Sequence, residues 1–340
     1  MECTRTRRIA LVLATSMMLW SLPANGQQRR LDQDPTLNNL AHADGYETGV
    51  LGELGRVDKV GAGPKDMIFI AGAGFGAEIW DSFMATRTET HTMYAVTLAG
   101  FGDTVAPAMP EAGTSYGDQT WTHAAKEGIQ RLIAQERLQR PIVVGHWLTA
   151  TQVALRVALD NPDKVSAVII ISGIAKSLPR HGPGADTPQS LRAQVEFIDT
   201  IMAPRWFKTV TRDTWDDNNF YPGDYARHPV RALQLWRMAA SPTLPVWIRY
   251  LCEAWAQDVT LELDRLRVPM LLLMPGFDAD FWFVPEQDYM RAYTQGTWDG
   301  IEELNELITV HTVPDTRVFI MDDQPELLDQ AIEAFLLLSS

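Results

Sequence analysis

Pro141-Ile142-Val143-Val144-Gly145-His146-Trp147-Leu148-Thr149 is the stretch on which the fold turns. Its apolar run, Ile142-Val143-Val144, has the length of a short buried strand, and it ends at a glycine where the chain can turn sharply. Beyond it Ala150, Val153, Ala154, Val157 and Ala158 recur at helical spacing, so the turn opens directly into an amphipathic helix. Asn161-Pro162 ends that helix, because proline has no N–H and disfavours helical backbone in the residue before it. A second apolar run, residues 165–171, then reads as another buried strand.

The same grammar extends in both directions. Upstream, Met67-Ile68-Phe69-Ile70-Ala71 is a compact strand followed by Gly72-Ala73-Gly74-Phe75-Gly76, a turn in which a ligand can approach the main chain. Its glycine spacing is not that of a dinucleotide fingerprint, and no acidic residue closes the next strand, residues 93–98. Ala99-Gly100-Phe101-Gly102-Asp103 makes a tight loop, and residues 122–135 a helix. Between residues 46 and 65, glycines punctuate a pair of entering antiparallel strands. Downstream the alternation is suspended from 174 to 263. That stretch holds several prolines and Trp206, Trp215, Trp236, Trp247 and Trp255, as an inserted helical lid would, its tryptophans forming core or pocket wall. Strands return at 270–274 and about 307–313, and the last helix carries Leu327, Leu328, Ala331, Ile332, Phe335 and Leu336 on one face. Asp323 and Glu326 stand at capping-box spacing, with Pro325 in the first turn.

At 340 residues, 46% hydrophobic and 21% charged, the chain is long enough for one large α/β domain or two. Arg5, Arg7 and Arg8, an apolar run at 9–22, and the small residues Ala24 and Gly26 read as a secretory signal peptide over 1–26. A secreted or periplasmic location follows, with no membrane contact after cleavage. Residues 27–45 read as a polar, flexible leader. The formal charge is −14, and losing a segment that carries +2 leaves −16. Such acidity disfavours nucleic acid and anionic surfaces. Cys3 departs with the signal, so Cys252 has no partner for an internal disulfide.

Taken in order, these features resemble the α/β-hydrolases from about Tyr46 to Leu338, and most closely their esterase, epoxide-hydrolase and dehalogenase branch. Ile70-Ala71-Gly72 stands where that branch has a strand ending in His-Gly. Leu98-Ala99-Gly100-Phe101-Gly102 resembles its Pro-Gly-Phe-Gly loop, and Val144-Gly145-His146 the approach to its Gly-His-Ser nucleophile elbow. Phe319-Ile320-Met321 and Asp323-Gln324-Pro325-Glu326 resemble the segment after its catalytic histidine. The resemblance implies a mostly parallel central sheet flanked by helices, with a helical cap. Core residues are 46–173 and 264–340, and the cap is 174–263.

It also assigns the catalytic roles, with an unusual result. The nucleophile position holds Trp147, whose indole cannot attack a carbonyl, and the histidine position holds Val318, which moves no proton. The acid position falls at Asp280 or Asp278. The oxyanion pocket, being backbone, is expected at the N–H groups of Ala73 and Leu148, among Gly72, Gly74 and His146. The family counterpart of His146 points away from the site, so a structural role is expected for it. His311, seven residues before Val318, reads as a core histidine of the last strand. The histidines lack metal-ligand spacing, and neither metal nor cofactor is expected. Burying an indole in the former acyl pocket, worth roughly 2–3 kcal/mol, would offset the strain of φ > 0 at a bulky residue. The expected function is that of a non-hydrolytic homologue: a pseudoenzyme or a binder of a small apolar or carbonyl ligand. The alternatives are an active hydrolase of ester-like bonds with a non-standard constellation, and a structural or interaction scaffold.

Overall fold

Four runs whose buried residues are almost all apolar pair in parallel at the centre of the molecule, because a strand covered on both faces has no use for alternation. They are β3 (Lys65–Ile70), β5 (Ile142–His146), β6 (Ala167–Ile171) and β7 (Met270–Pro275). The computed structural model describes residues 47–49, 53–177, 190–218, 221–277 and 288–338. The segments read as signal peptide and leader, 1–26 and 27–45, lie outside them, as do Asp278 and Asp280.

With β1 (Glu47–Gly49), β2 (Leu54–Val60), β4 (His91–Leu98) and β8 (Ile308–Val313), these strands form an eight-stranded sheet in the order β1-β2-β4-β3-β5-β6-β7-β8. β1 and β2 enter antiparallel, β2 pairing with β4 through a register shift between Leu54 and Arg56. From β4 onward every pairing is parallel. The crossover helices α1 (Asp81–Ala85), α2 (Thr120–Gln135) and α3 (Leu148–Asp160) cover the sheet. Asn161 is the C-cap of α3, where proline at 162 forbids continuation.

Between β6 and β7 the chain leaves the sheet and builds a helical layer: α4 (Leu191–Phe197), a π turn (Ile198–Met202), α5 (Ala203–Thr209), α6 (Arg212–Asn218), α7 (Pro222–Tyr225), α8 (Pro229–Ala240) and α9 (Leu244–Trp255). α9 is buried without interruption from Val246 to Ala254. Its Glu253 reaches the start of α2 and accepts hydrogen bonds from the N–H groups of Trp121 (3.1 Å) and Thr122 (2.9 Å) and from the Thr122 hydroxyl. Gln119, the N-cap residue, is left-handed and offers no side-chain cap. The cap layer therefore supplies the anion that the N-terminal end of α2 favours.

The chain ends in α10 (Asp288–Thr294), β8, α11 (Ile320–Asp323) and α12 (Pro325–Leu338). Two expectations fail here. Asp323 does not open α12. It closes α11, and its carboxylate accepts from the N–H groups of Arg227 and Arg317, a tertiary use that local spacing does not reveal. His311 lies on β8 but is exposed, since β8 is the last strand of the sheet and little covers its outer positions.

Candidate functional site

β5 ends at His146 and α3 begins at Leu148, so one residue, Trp147, makes the whole turn. Its backbone sits at φ 61, ψ 142, and Leu148 follows at φ 38. The first pair of angles borders a region that side chains avoid, at a cost of about 1–3 kcal/mol. What holds the turn is burial: Trp147 is 1% exposed. With Leu148, Ile174, Leu251, Trp255, Met290 and Tyr293 it lines a hollow of about 10 Å³, the room that a single water needs. The indole thus lies under the cap and not in solvent.

The glycine turn after β3 closes against the same residue. A Cβ on Gly72 would come within 2.8 Å of the Trp147 Cβ and 2.6 Å of the His146 carbonyl oxygen. Gly74 has φ 95, and a Cβ there would meet the Trp247 ring at 2.4 Å. Trp247 comes from α9, anchored by its Nε1 donating to the Ala239 carbonyl at 2.8 Å. Tyr250, one turn on, donates its hydroxyl to the carbonyl of Ala99 at 2.9 Å. Trp247 therefore closes against the glycine turn, and Tyr250 against the loop after β4.

Several backbone donors are left at this junction, Gly74 and Thr149 among them, as at the start of any helix. The N–H groups of Ala73 and Leu148 make no hydrogen bond among the described residues, although both residues are buried. Buried amide groups are nearly always paired, and these two lie on the turns after β3 and β5.

His146 is fully enclosed by Phe319, Trp80 and Phe75, with ring centroids 4.6, 5.8 and 6.4 Å away. Its Nε2 lies 3.2 Å from the Val318 carbonyl oxygen, which can only accept, so Nε2 carries the proton. Burial pushes the imidazole down to about 3. A neutral histidine that ties the end of β5 to the Val318 segment is a structural brace.

Val318 is itself fully buried. Its N–H donates to the Asp224 carbonyl at 3.3 Å, and the N–H of Phe319 to the Tyr225 carbonyl at 2.8 Å. α7 of the cap thus lies directly against the residues after β8. Asp224 is buried with it, one carboxylate oxygen accepting from the Tyr221 N–H at 2.8 Å. Burial raises its carboxyl to about 6. Trp247 was legible as one of the lid tryptophans expected at core or pocket wall, whereas nothing local marks Asp224.

The structure brings together Gly72, Ala73, Gly74, His146, Trp147 and Leu148, with Val318 joined through His146. Asp278 and Asp280 are outside the described residues. Among the described residues, no group of three or more His, Cys, Asp or Glu side chains is placed to hold a metal.

The fold has counterparts among known proteins. The family described as "Alpha/beta hydrolase family" matches residues 67–331, well over half of the chain. The protein belongs to the alpha/beta hydrolase family. Solved structures of like shape include a hydrolase from Pseudomonas aeruginosa, at TM-score 0.62 and 14% identity, covering 86% of this chain and 99% of that one. A thermophilic esterase from Thermogutta terrifontis aligns at TM-score 0.60 and 16% identity over 86% and 97%. Among relatives by sequence, a pimeloyl-[acyl-carrier protein] methyl ester esterase from Sodalis glossinidius is 25% identical over 231 residues, 64% of this chain and 77% of that enzyme. The Edwardsiella ictaluri esterase of the same name is 30% identical over 112 residues. This match spans 33% of the present hydrolase-family chain and 38% of the Edwardsiella enzyme's length. Members of this family place the nucleophile on a sharp strand-to-helix turn; the strand-to-helix turn between β5 and α3 of this chain holds Trp147.

Proposed function

We propose that this alpha/beta hydrolase is a non-hydrolytic member of its family, exported from the cytoplasm, in which Trp147 plugs the pocket where an ester would react. One observation carries the reading: a buried tryptophan held at φ 61 in the one-residue turn, filling its surroundings down to a hollow of about 10 Å³. An indole has no atom able to form an acyl intermediate, and Val318 has none to relay a proton. The unpaired N–H groups of Ala73 and Leu148 are then the remnant of an oxyanion site. So small a hollow favours a structural or interaction role over the holding of an apolar or carbonyl ligand at this point.

The test is restoration. Trp147→Ser combined with Val318→His, assayed on a panel of short-chain fluorogenic esters, is expected to turn over at least one of them above the unmodified protein. A folded double variant that stays silent would mean that the two N–H groups do not form an oxyanion site.

A second reading draws on the relatives, which are named as methyl ester esterases. In it the protein hydrolyses ester-like bonds with a constellation that includes Asp278 or Asp280. Turnover by the unmodified protein that disappears in Asp280→Asn or Asp278→Asn would establish it in place of the first.

A further inference from the structure

On the other side of α9 lies a cleft of about 280 Å³, walled by residues 109–114 and Tyr116, by Asp199 of the π turn, by Ala203, Pro204 and Phe207 of α5, and by Arg249. It shares no lining residue with the hollow at Trp147. Arg249 is about 200–240° around the helix from Leu251 and Trp255, at about 100° per residue. It is a site separate from that of Trp147.

The charges in its walls do not cancel. Arg249 is 3% exposed and already engaged. Its Nε donates to Glu253 Oε1 at 2.7 Å, its Nη2 lies 2.6 Å from the same oxygen, and its guanidinium rests over the Tyr116 ring at 4.4 Å. Glu253 therefore neutralises it from behind. Asp199 is different. Its oxygens accept from the Ser115 hydroxyl at 2.6 Å and the Tyr116 N–H at 2.8 Å. Both donors are neutral, and each oxygen keeps a lone pair. Glu111 adds a second carboxylate, and no lysine lines the cleft.

The backbone fixes Asp199 in this place. Pro204 has no N–H to give to the Thr200 carbonyl, and the helix widens into the π turn Ile198–Met202 that carries Asp199. Beside the carboxylate the walls are apolar, with Met109 and Phe207 left 47% and 42% exposed at the rim.

We propose that this cleft binds a small organic ammonium ion, its cationic head on Asp199 and its apolar body over Met109 and Phe207. An anion would meet two carboxylates and an arginine that is already paired. A cation meets their field, within a chain whose formal charge of −14 concentrates cations at its surface.

Calorimetric titration of the full chain with hexylammonium chloride, against sodium hexanoate at equal ionic strength, tests this. Hexylammonium is expected to bind saturably, more weakly as salt rises, and hexanoate to give no binding. Asp199→Asn should weaken binding about tenfold, since a charge-assisted bond becomes a neutral one. Because Asp199 also holds Ser115 and Tyr116, two rim variants guard against a folding defect. Glu111→Gln is expected to weaken binding about threefold, and Phe207→Ala about fivefold. No saturable binding of hexylammonium, equal binding of hexanoate, or unchanged affinity in the folded variants would overturn the proposal.

Discussion

Replacing Trp147 by alanine and by glycine separates the two things that this residue does at its turn. The indole is 1% exposed, so truncation to alanine empties a space whose walls, Ile174, Leu251, Trp255, Met290 and Tyr293 among them, close only in part. Losses of this kind cost about 3–5 kcal/mol. Alanine keeps a Cβ at φ 61, ψ 142, whereas glycine adopts φ > 0 freely and returns about 1 kcal/mol of strain. Trp147→Gly is therefore expected to be about 1 kcal/mol more stable than Trp147→Ala, the reverse of their order in a helix or strand. Urea unfolding at pH 7.5, with a common m-value, measures the difference. The emptied space should also accept free indole: at ten times its dissociation constant the ligand adds about 1.4 kcal/mol to either variant and nothing to the unmodified protein. Alanine equal to or above glycine would refute the strain, and the absence of any rescue would refute the plug.

Three further outcomes follow from buried charge. Asp224 has its folded carboxyl at about 6 against an ordinary 3.8, so its charged form opposes folding above pH 6, and that penalty disappears as pH falls towards 4. Asp224→Asn should thus raise stability at pH 7.5 by up to on the order of 3 kcal/mol and give no gain at pH 4. Denaturant melts at the two pH values check this, and a difference that ignores pH contradicts it. His146 works in the opposite sense: held at about 3 in the fold against an ordinary 6.5, it makes the protein lose stability as pH falls from about 6.5 to 3. His146→Phe should flatten the acid side of the melting-temperature profile, and an unchanged profile would show that burial of the ring is not what depresses it. Glu253→Ala strands the buried Arg249 guanidinium and uncaps α2; a loss of about 3–5 kcal/mol is expected, with a loss under 1 kcal/mol in urea melts counting against it.

Much of the sheet was legible in the sequence because a strand buried on both faces needs an unbroken apolar run. The runs at 142–144 and 165–171 sit within or across β5 and β6. The tight turn between β5 and α3 was legible too, since only the five residues from Gly145 to Thr149 separate the apolar run from the helical spacing that starts at Ala150. The helix boundaries of the cap were not, because α4 to α9 are broken by prolines and packing and not by a repeating pattern. Arg249 and Glu253 have the spacing of an ordinary surface pair, and nothing local says that both are buried. Asp323 misled for the same reason: its partners, Arg227 and Arg317, meet it only in the fold. His311 was within reach, since Ile308-Thr309-Val310-His311 alternates as a half-exposed edge strand does.

Whether any side chain of the protein can be acylated decides most directly whether Trp147 has replaced a nucleophile. The unmodified chain, incubated with a fluorophosphonate and then with a slow-turnover ester, is to be weighed intact by mass spectrometry. No added mass is expected, because the turn after β5 presents an indole. A stoichiometric adduct on any residue around Trp147, lost on denaturing the protein first, would contradict it.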